Sequence, residues 1–361
     1  MPSHLEHIMV EGGFRMRRLR VVAAGLAMML AVALGGGATP AAAADSIKLS
    51  LNFLPYGVHV GFFAARDLGF YREAGMDVEI LKGDGAADAV RRMGTGVVDF
   101  AFADMGSVIV GRSRGMKVKA LGVVGERDPS VMISLKNSGI RAPRDLEGKS
   151  IGALTASALR ENWPSLAALN NVDPKKVTWV DMPGSAYVAS LMSRKVHAIA
   201  TYVFTLGGYE TQAKKIGEEV SLLYYADFGV DTYGPGLLTS EQNIKEKPDL
   251  VRRFVQASMR GYAWAFENPD EAVRLFVKAH PETNPDRVRS EVKITAELML
   301  TPFAAREGMD FYEEKKSEQT RDLTLKVRNI NSGIRDPASM PVKDIYTNEF
   351  LAKLFPKRGK L

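Results

Sequence analysis

The chain contains no cysteine. That removes disulfides, thiol nucleophiles, thiolate metal sites and a thiol-borne lipid anchor together, and leaves packed cores as the source of stability. Histidine is almost as scarce, with five in 361 residues, and His4 and His7 fall in the first 44. His59, His197 and His280 stand far apart and in no metal-binding spacing of the H-E-x-x-H kind. There is no G-x-S-x-G nucleophile turn and no G-x-x-x-x-G-K-[ST] phosphate loop, so positive signs of catalysis are missing. The apolar run 21–34 has 14 residues, too few to span a bilayer comfortably. A strong charge of one sign is lacking too: of the net +6, four arginines against two glutamates in the first 44 residues supply +2, leaving +4. No Lys/Arg cluster is interleaved with aromatics, which argues against a nucleic-acid partner.

What is present begins with a targeting pattern. Arg15, Arg17, Arg18 and Arg20 precede the apolar run, and Ala42, Ala43 and Ala44 offer small residues for cleavage before Asp45. Residues 1–44 are therefore expected to be a cleavable export signal with its leader, translated from Met9 or Met16. The mature protein is expected to be periplasmic, monomeric and not lipid-anchored.

The stretch 46–81 reads as strand, turn, helix, strand. Ile47, Leu49 and Leu51 alternate with Lys48, Ser50 and Asn52 until Pro55 removes a ladder donor. Val60, Phe63, Ala64 and Leu68 then form a helical stripe that Gly69 closes, and Val78, Ile80 and Leu81 begin a second strand. Gly83 and Gly85 before the next helix suit either a tight turn or an anion cradle. The run 97–105 predicts a strand buried on both faces, with Asp104 at its carboxyl end as a helix N-cap or a ligand contact. Beyond 128 the pattern changes, and a second set of α/β repeats starts at 149. Ser157 and Ser185 open helices there, and Tyr202 and Phe204 end a buried strand. The bend 231–236 marks a return, after which the chain is mainly helical.

This order predicts an α/β fold of two lobes joined by two crossings. Residues 45–130 with 232–361 form lobe 1 and 131–231 form lobe 2, each a mostly parallel sheet flanked by helices. Ligands of such sheets bind outside the carboxyl ends of the strands. The candidate site comprises Phe53, Tyr56, Tyr187 and Tyr202 to wall a ligand, and His59, Asp104, Ser157 and Ser185 to hydrogen-bond it.

The segments 51–80, 94–104, 145–152, 247–272 and 346–351 (LNFLPYGVHVGFFAARDLGFYREAGMDVEI, GTGVVDFAFAD, DLEGKSIG, KPDLVRRFVQASMRGYAWAFENPDEA and YTNEFL) resemble periplasmic solute-binding proteins of ABC importers. Their nearest likeness is to the branch that includes binders of thiamine pyrimidine precursors; taurine, sulfonate, nitrate and flavin binders share the frame. The resemblance implies a type II periplasmic binding fold, a small aromatic or heteroaromatic ligand, a membrane permease as partner, and neither cofactor nor metal. One branch is a pyrimidine synthase that consumes its own histidine and bound pyridoxal phosphate. Ala103 and Ser107 stand here where that branch has its lysine and histidine, and its cysteine cluster has no counterpart, so no enzymatic activity is expected. The acidic residue that would grip an aminopyrimidine is replaced by Val203 and Phe204, leaving Asp104 to take over as acceptor.

Overall fold

Alternation of apolar and polar residues sets the first strand. In β1 (Asp45–Ser50), Ile47 and Leu49 face the core while Lys48 faces solvent. A single-turn 3₁₀ segment leads into α1 (Val60–Asp67), and Gly69 follows in the left-handed region at φ +84°. Next come β2 (Met76–Leu81), α2 (Ala86–Gly94), β3 (Phe100–Asp104), α3 (Met105–Ser113) and β4 (Val118–Val123). The computed structural model describes residues 43–327 and 337–357. All but the last two residues of the expected export leader lie outside the described residues. Among those described, no helix is long and apolar enough to cross a membrane.

After β4 the chain crosses to a second sheet. It builds β5 (Ser130–Leu135), β6 (Ser150–Ala153), α4 (Ala158–Leu169), β7 (Thr178–Asp181), α5 (Tyr187–Met192), β8 (Ala198–Tyr202), α6 (Leu206–Lys215) and β9 (Val220–Tyr224). It then returns as β10 (Pro235–Ser240). The first sheet has the order β2-β1-β3-β10-β4 and the second β7-β6-β8-β5-β9. Each is parallel except for one strand that arrives from the crossing: β10 runs antiparallel between β3 and β4, and β5 antiparallel between β8 and β9. This is the expected two-lobed α/β architecture.

One strand is shorter than its apolar pattern. Val97 is 59 % exposed and β3 starts only at Phe100. Gly96, at φ +74°, turns the end of α2 so that Val97 N donates back to Arg92 O, and the run cannot enter the sheet before Asp99 caps Lys48 N.

Most of the remaining chain packs on lobe 1. In α7 (Pro248–Glu267), Val251, Phe254, Val255, Tyr262 and Phe266 are buried, each such side chain contributing about 1.5–3 kcal/mol. Phe254 stacks on Phe100 at 3.8 Å and on Tyr71 at 5.5 Å. The α1–α7 contact needs glycine on both sides. A Cβ at Gly61 would lie 2.3 Å from the Tyr262 ring, and one at Gly261 would lie 2.1 Å from Gly61 O. Then follow α8 (Pro269–Ala279), α9 (Pro285–Met299) and α10 (Glu314–Val327).

Candidate functional site

The carboxyl ends of β1, β3, β6 and β8 converge between the two sheets. On the lobe 1 side, the chain beyond β1 is pinned to the loop before α2: Leu51 N donates to Leu81 O, Gly83 N to Phe53 O and Gly85 N to Asn52 O at 2.8–3.1 Å. Gly83 packs so tightly that a Cβ would sit 1.8 Å from Leu51 O. Gly85, at φ +119°, meets lobe 2, where a Cβ would come within 2.6 Å of Ala156 O. Backbone crowding thus accounts for both glycines, and it also aims the start of α2 at the cleft.

A cavity of about 30 Å³ lies at this junction, lined among others by Asn52, Phe53 and Tyr56 from lobe 1 and Ser157, Tyr187 and Tyr202 from lobe 2. It holds little more than one water. Phe53 closes one side. Its ring lies 5.9 Å from Tyr56 and 5.8 Å from Tyr187, and it sits on Gly184, where a Cβ would be 2.1 Å from Cζ. Tyr56 in turn reaches Phe204 at 6.5 Å.

Hydrogen bonds orient the side chains around the cavity. Tyr56 N donates to His59 Nδ1 at 3.4 Å, so His59 Nε2 carries the hydrogen and donates to Asn52 Oδ1 at 3.2 Å. The amide is thereby oriented, and Asn52 Nδ2 remains buried without a partner. Across the cleft, Tyr202 OH donates to Asp104 Oδ2 at 3.2 Å, linking β8 to β3. Leu154 N donates to the Tyr187 hydroxyl oxygen. Burial, and for Tyr202 also the Asp104 carboxylate, raises the pKa of both phenols, which stay protonated.

Of the eight residues singled out from sequence, five line the cavity: Phe53, Tyr56, Ser157, Tyr187 and Tyr202. Ser157 holds the N-cap position of α4, yet its hydroxyl makes no capping bond. Three are placed differently from the expectation of direct ligand contact. His59 is fully buried in lobe 1 against Phe62 and Phe102, because the 3₁₀ turn after Pro55 rotates it inward. Burial first, and His280 second, push its pKa down to about 3, so it is neutral. Asp104 takes the first of its two readings, the helix N-cap: it caps α3, with Oδ1 accepting from Ser107 N and Oδ2 from Ser107 Oγ, both at 2.8 Å, and from Tyr202 OH. Ser185 is exposed in the turn before α5 and does not line the cavity.

Sequence reasoning missed Asn52, Thr201 and Thr205, which also line the wall. Thr205 donates to Tyr202 O at 2.9 Å. Asn52 occupies the polar phase of the β1 alternation, which reads as solvent-facing, but it is only 2 % exposed. Among the described residues, no group of His, Asp or Glu is arranged to hold a metal ion.

Two five-stranded α/β lobes meeting over an aromatic cavity define the periplasmic binding protein fold. A family model described as NMT1/THI5 like matches residues 57–272, and the chain belongs to that family. Among curated relatives, a formylaminopyrimidine-binding protein of Halalkalibacterium halodurans is 26 % identical over 67 % of this chain and 73 % of its own length. A 4-amino-5-hydroxymethyl-2-methylpyrimidine phosphate synthase of Legionella pneumophila is 27 % identical over 65 % and 74 %. A riboflavin-binding protein of Chloroflexus aurantiacus is 26 % identical over 93 % and 99 %. Similar solved structures include one from Bordetella bronchiseptica, with a TM-score of 0.69 at 16 % identity, covering 85 % of this chain and 95 % of that one. The alkanesulfonate-binding protein of Xanthomonas axonopodis bound to MOPS gives 0.61 at 12 % identity, over 79 % and 92 %.

Proposed function

We propose that this protein is the substrate-binding component of an ABC importer and closes its two lobes over a small, flat heteroaromatic solute bearing hydrogen-bond acceptors. One observation carries the reading: a cavity at the strand ends of both sheets, walled by aromatic rings and lined by Asn52, whose amide Nδ2 is buried without a partner. A flat π system would stack against Phe53 and Tyr187, and a ring nitrogen or carbonyl would satisfy Asn52 Nδ2. The pyrimidine- and riboflavin-binding names of relatives support this class. Export to the periplasm and a membrane permease as partner belong to the same proposal.

Transport is favoured over synthesis by the chemistry of the wall. Its polar groups include hydroxyls and one amide, His59 is neutral and sealed off, and Ala103 and Ser107 offer no amine or imidazole near the strand end. A second reading, an organic sulfonate or another oxyanion, is favoured by the starts of α2 and α4, which approach the cavity from opposite lobes through Gly85–Ala86 and Ser157–Ala158.

With a 30 Å³ space, any of these solutes requires the lobes to part before it enters. Titration calorimetry and thermal shift with formylaminopyrimidine, riboflavin, MOPS and nitrate decide between the readings. Saturable stabilisation by a heteroaromatic compound is expected. Stabilisation by MOPS or nitrate alone supports the second reading, and no response to any of the four overturns both.

A further inference from the structure

The helix α9 touches both lobes directly behind the cavity. Toward lobe 1, Gly57 N donates to Glu291 Oε2 at 2.7 Å, and Gly57 follows the cavity residue Tyr56. The approach is so close that a Cβ on Gly57 would lie 2.3 Å from Glu291 Cβ. Glu291 is fully buried, and its other oxygen accepts from Arg287 Nε at 2.7 Å. Toward lobe 2, the same stretch of α9 lies on the first turn of α6. A Cβ at Gly207 would be 2.9 Å from Ser290 Cβ and 3.1 Å from Arg287 O, and one at Gly208 would be 3.2 Å from Arg287 Nε. Gly207 comes two residues after the cavity residue Thr205. One turn of helix thus holds the residue after one wall of the cavity and the backbone just beyond the opposite wall.

We propose that α9 is a strap that sets the closure of the cleft, with Glu291 and Arg287 as positioning residues: Glu291 fixes the Tyr56–Gly57 turn while Arg287 seats on Gly207–Gly208. The inference rests on the cleft being the binding site, and it adds that opening proceeds by peeling α6 away from α9 while α9 stays with lobe 1. The argument is steric and electrostatic. A buried carboxylate holding both a guanidinium and a backbone N–H is costly to strip of either partner. The contact with lobe 2 is made across Gly207 and Gly208 and by Ile294 and Leu298 packed on its apolar core; it contains no such buried charged bond, so it is the weaker seam.

The absence of cysteine makes the test direct. Lys82→Cys in lobe 1 and Lys175→Cys in lobe 2, both at exposed positions, take spin labels for distance measurement without any solute. Gly207→Val is expected to lengthen the interlobe distance without touching the cavity lining. It is also expected to weaken formylaminopyrimidine or riboflavin binding about tenfold if the closed population falls by that factor. Glu291→Leu is expected to lengthen the distance as well, and Glu291→Gln, which keeps an acceptor for Gly57 N, to restore the wild-type distribution. A merely structural role would lower the melting temperature of both Glu291 variants and leave the distances alone, which overturns the proposal. Wild-type distances in a folded Gly207→Val protein also overturn it; should that variant not fold, Arg287→Ala combined with Glu291→Gln is expected to lengthen the distance in its place. If the distances respond as stated but neither solute binds the wild type, the strap stands and the solute reading fails. If a solute binds and the distances do not respond, the strap fails alone.

Discussion

The two lobes share one plan and spend their residues differently. Both use a strand order in which β1 corresponds to β6, β2 to β7 and β3 to β8, with one antiparallel strand received from the crossing. Lobe 1 is covered by long helices and an aromatic stack of Tyr71, Phe254 and Phe100, and of its two edge strands β4 is almost wholly buried while β2 is partly exposed. In lobe 2 the edge strands β7 and β9 are mostly half-buried, and Trp179 meets Trp163 only edge-on while Arg160 lies over its face. At the cleft, lobe 1 offers Phe53, Tyr56 and the oriented Asn52 amide, and lobe 2 offers the hydroxyls of Ser157, Thr201, Thr205 and Tyr202. On the proposed reading the comparison suggests a division of labour, with lobe 1 as the frame that orients Asn52 and lobe 2 as the smaller body that would close on the solute.

The largest test of that division is in the cores. Phe254→Ala removes the centre of a buried three-ring stack and is expected to cost about 3–5 kcal/mol. Trp179→Ala in lobe 2 removes a half-buried ring and its cation–π partner, and about 1–2 kcal/mol is expected. Denaturant unfolding of both variants checks this, and equal losses would erase the distinction between frame and closing body.

A pH experiment sharpens it. His59 in lobe 1 has its pKa pushed down from 6.5 to about 3, so the unfolded chain takes up its proton first and this contribution to stability is lost as pH falls below about 6.5. Asp128, at the crossing into lobe 2, is pushed up by burial to about 6 although Ser130 and Thr232 donate to it. Here the native state takes up the proton first, so stability is gained as pH falls from about 6 to about 4. The two slopes oppose each other in that window. Asp128→Asn removes the second, and relative to wild type it is expected to lose about 2–3 kcal/mol between pH 6 and pH 4. A pH-independent difference between the two proteins would mean that Asp128 has the same pKa in the native and unfolded states.

The Asn52 amide tests selectivity. Asn52→Ala is expected to weaken the heteroaromatic solute about tenfold to a hundredfold, through loss of a buried donor, with calorimetry as the check. An affinity unchanged by this variant would place selectivity in the hydroxyls of lobe 2.

Local pattern carried much of this architecture. The alternation at 47–51, the buried run ending at Asp104 and the bends at 128 and 231–236 each predicted an element or a crossing, and the strand after the second crossing does rejoin the first sheet as β10. Side-chain direction within turns was not legible. Phe53, Tyr56 and His59 are neighbours in sequence, yet the 3₁₀ turn sends His59 into the core and leaves Tyr56 at the wall, a difference of backbone torsion that residue types do not encode. The value of Asn52 was hidden for a related reason, since its Nδ2 is left buried without a partner while His59 occupies its oxygen.

The smallest expected effect belongs to the one side-chain hydrogen bond described between the two parallel strand ends, from Tyr202 to Asp104. Tyr202→Phe keeps the ring that walls the cavity and removes only the hydroxyl. Asp104 retains Ser107 N and Ser107 Oγ, so no carboxylate is left bare and lobe 1 itself should be untouched. The loss is expected to be about 1 kcal/mol, and it should fall on the interlobe equilibrium rather than on either core. In labelled protein it would appear as a modest rise in the long-distance population at an almost unchanged melting temperature. If instead the melting temperature falls and the distances hold, the bond belongs to the stability of the frame, and the boundary between rigid and closing parts lies within β8 rather than at the cleft.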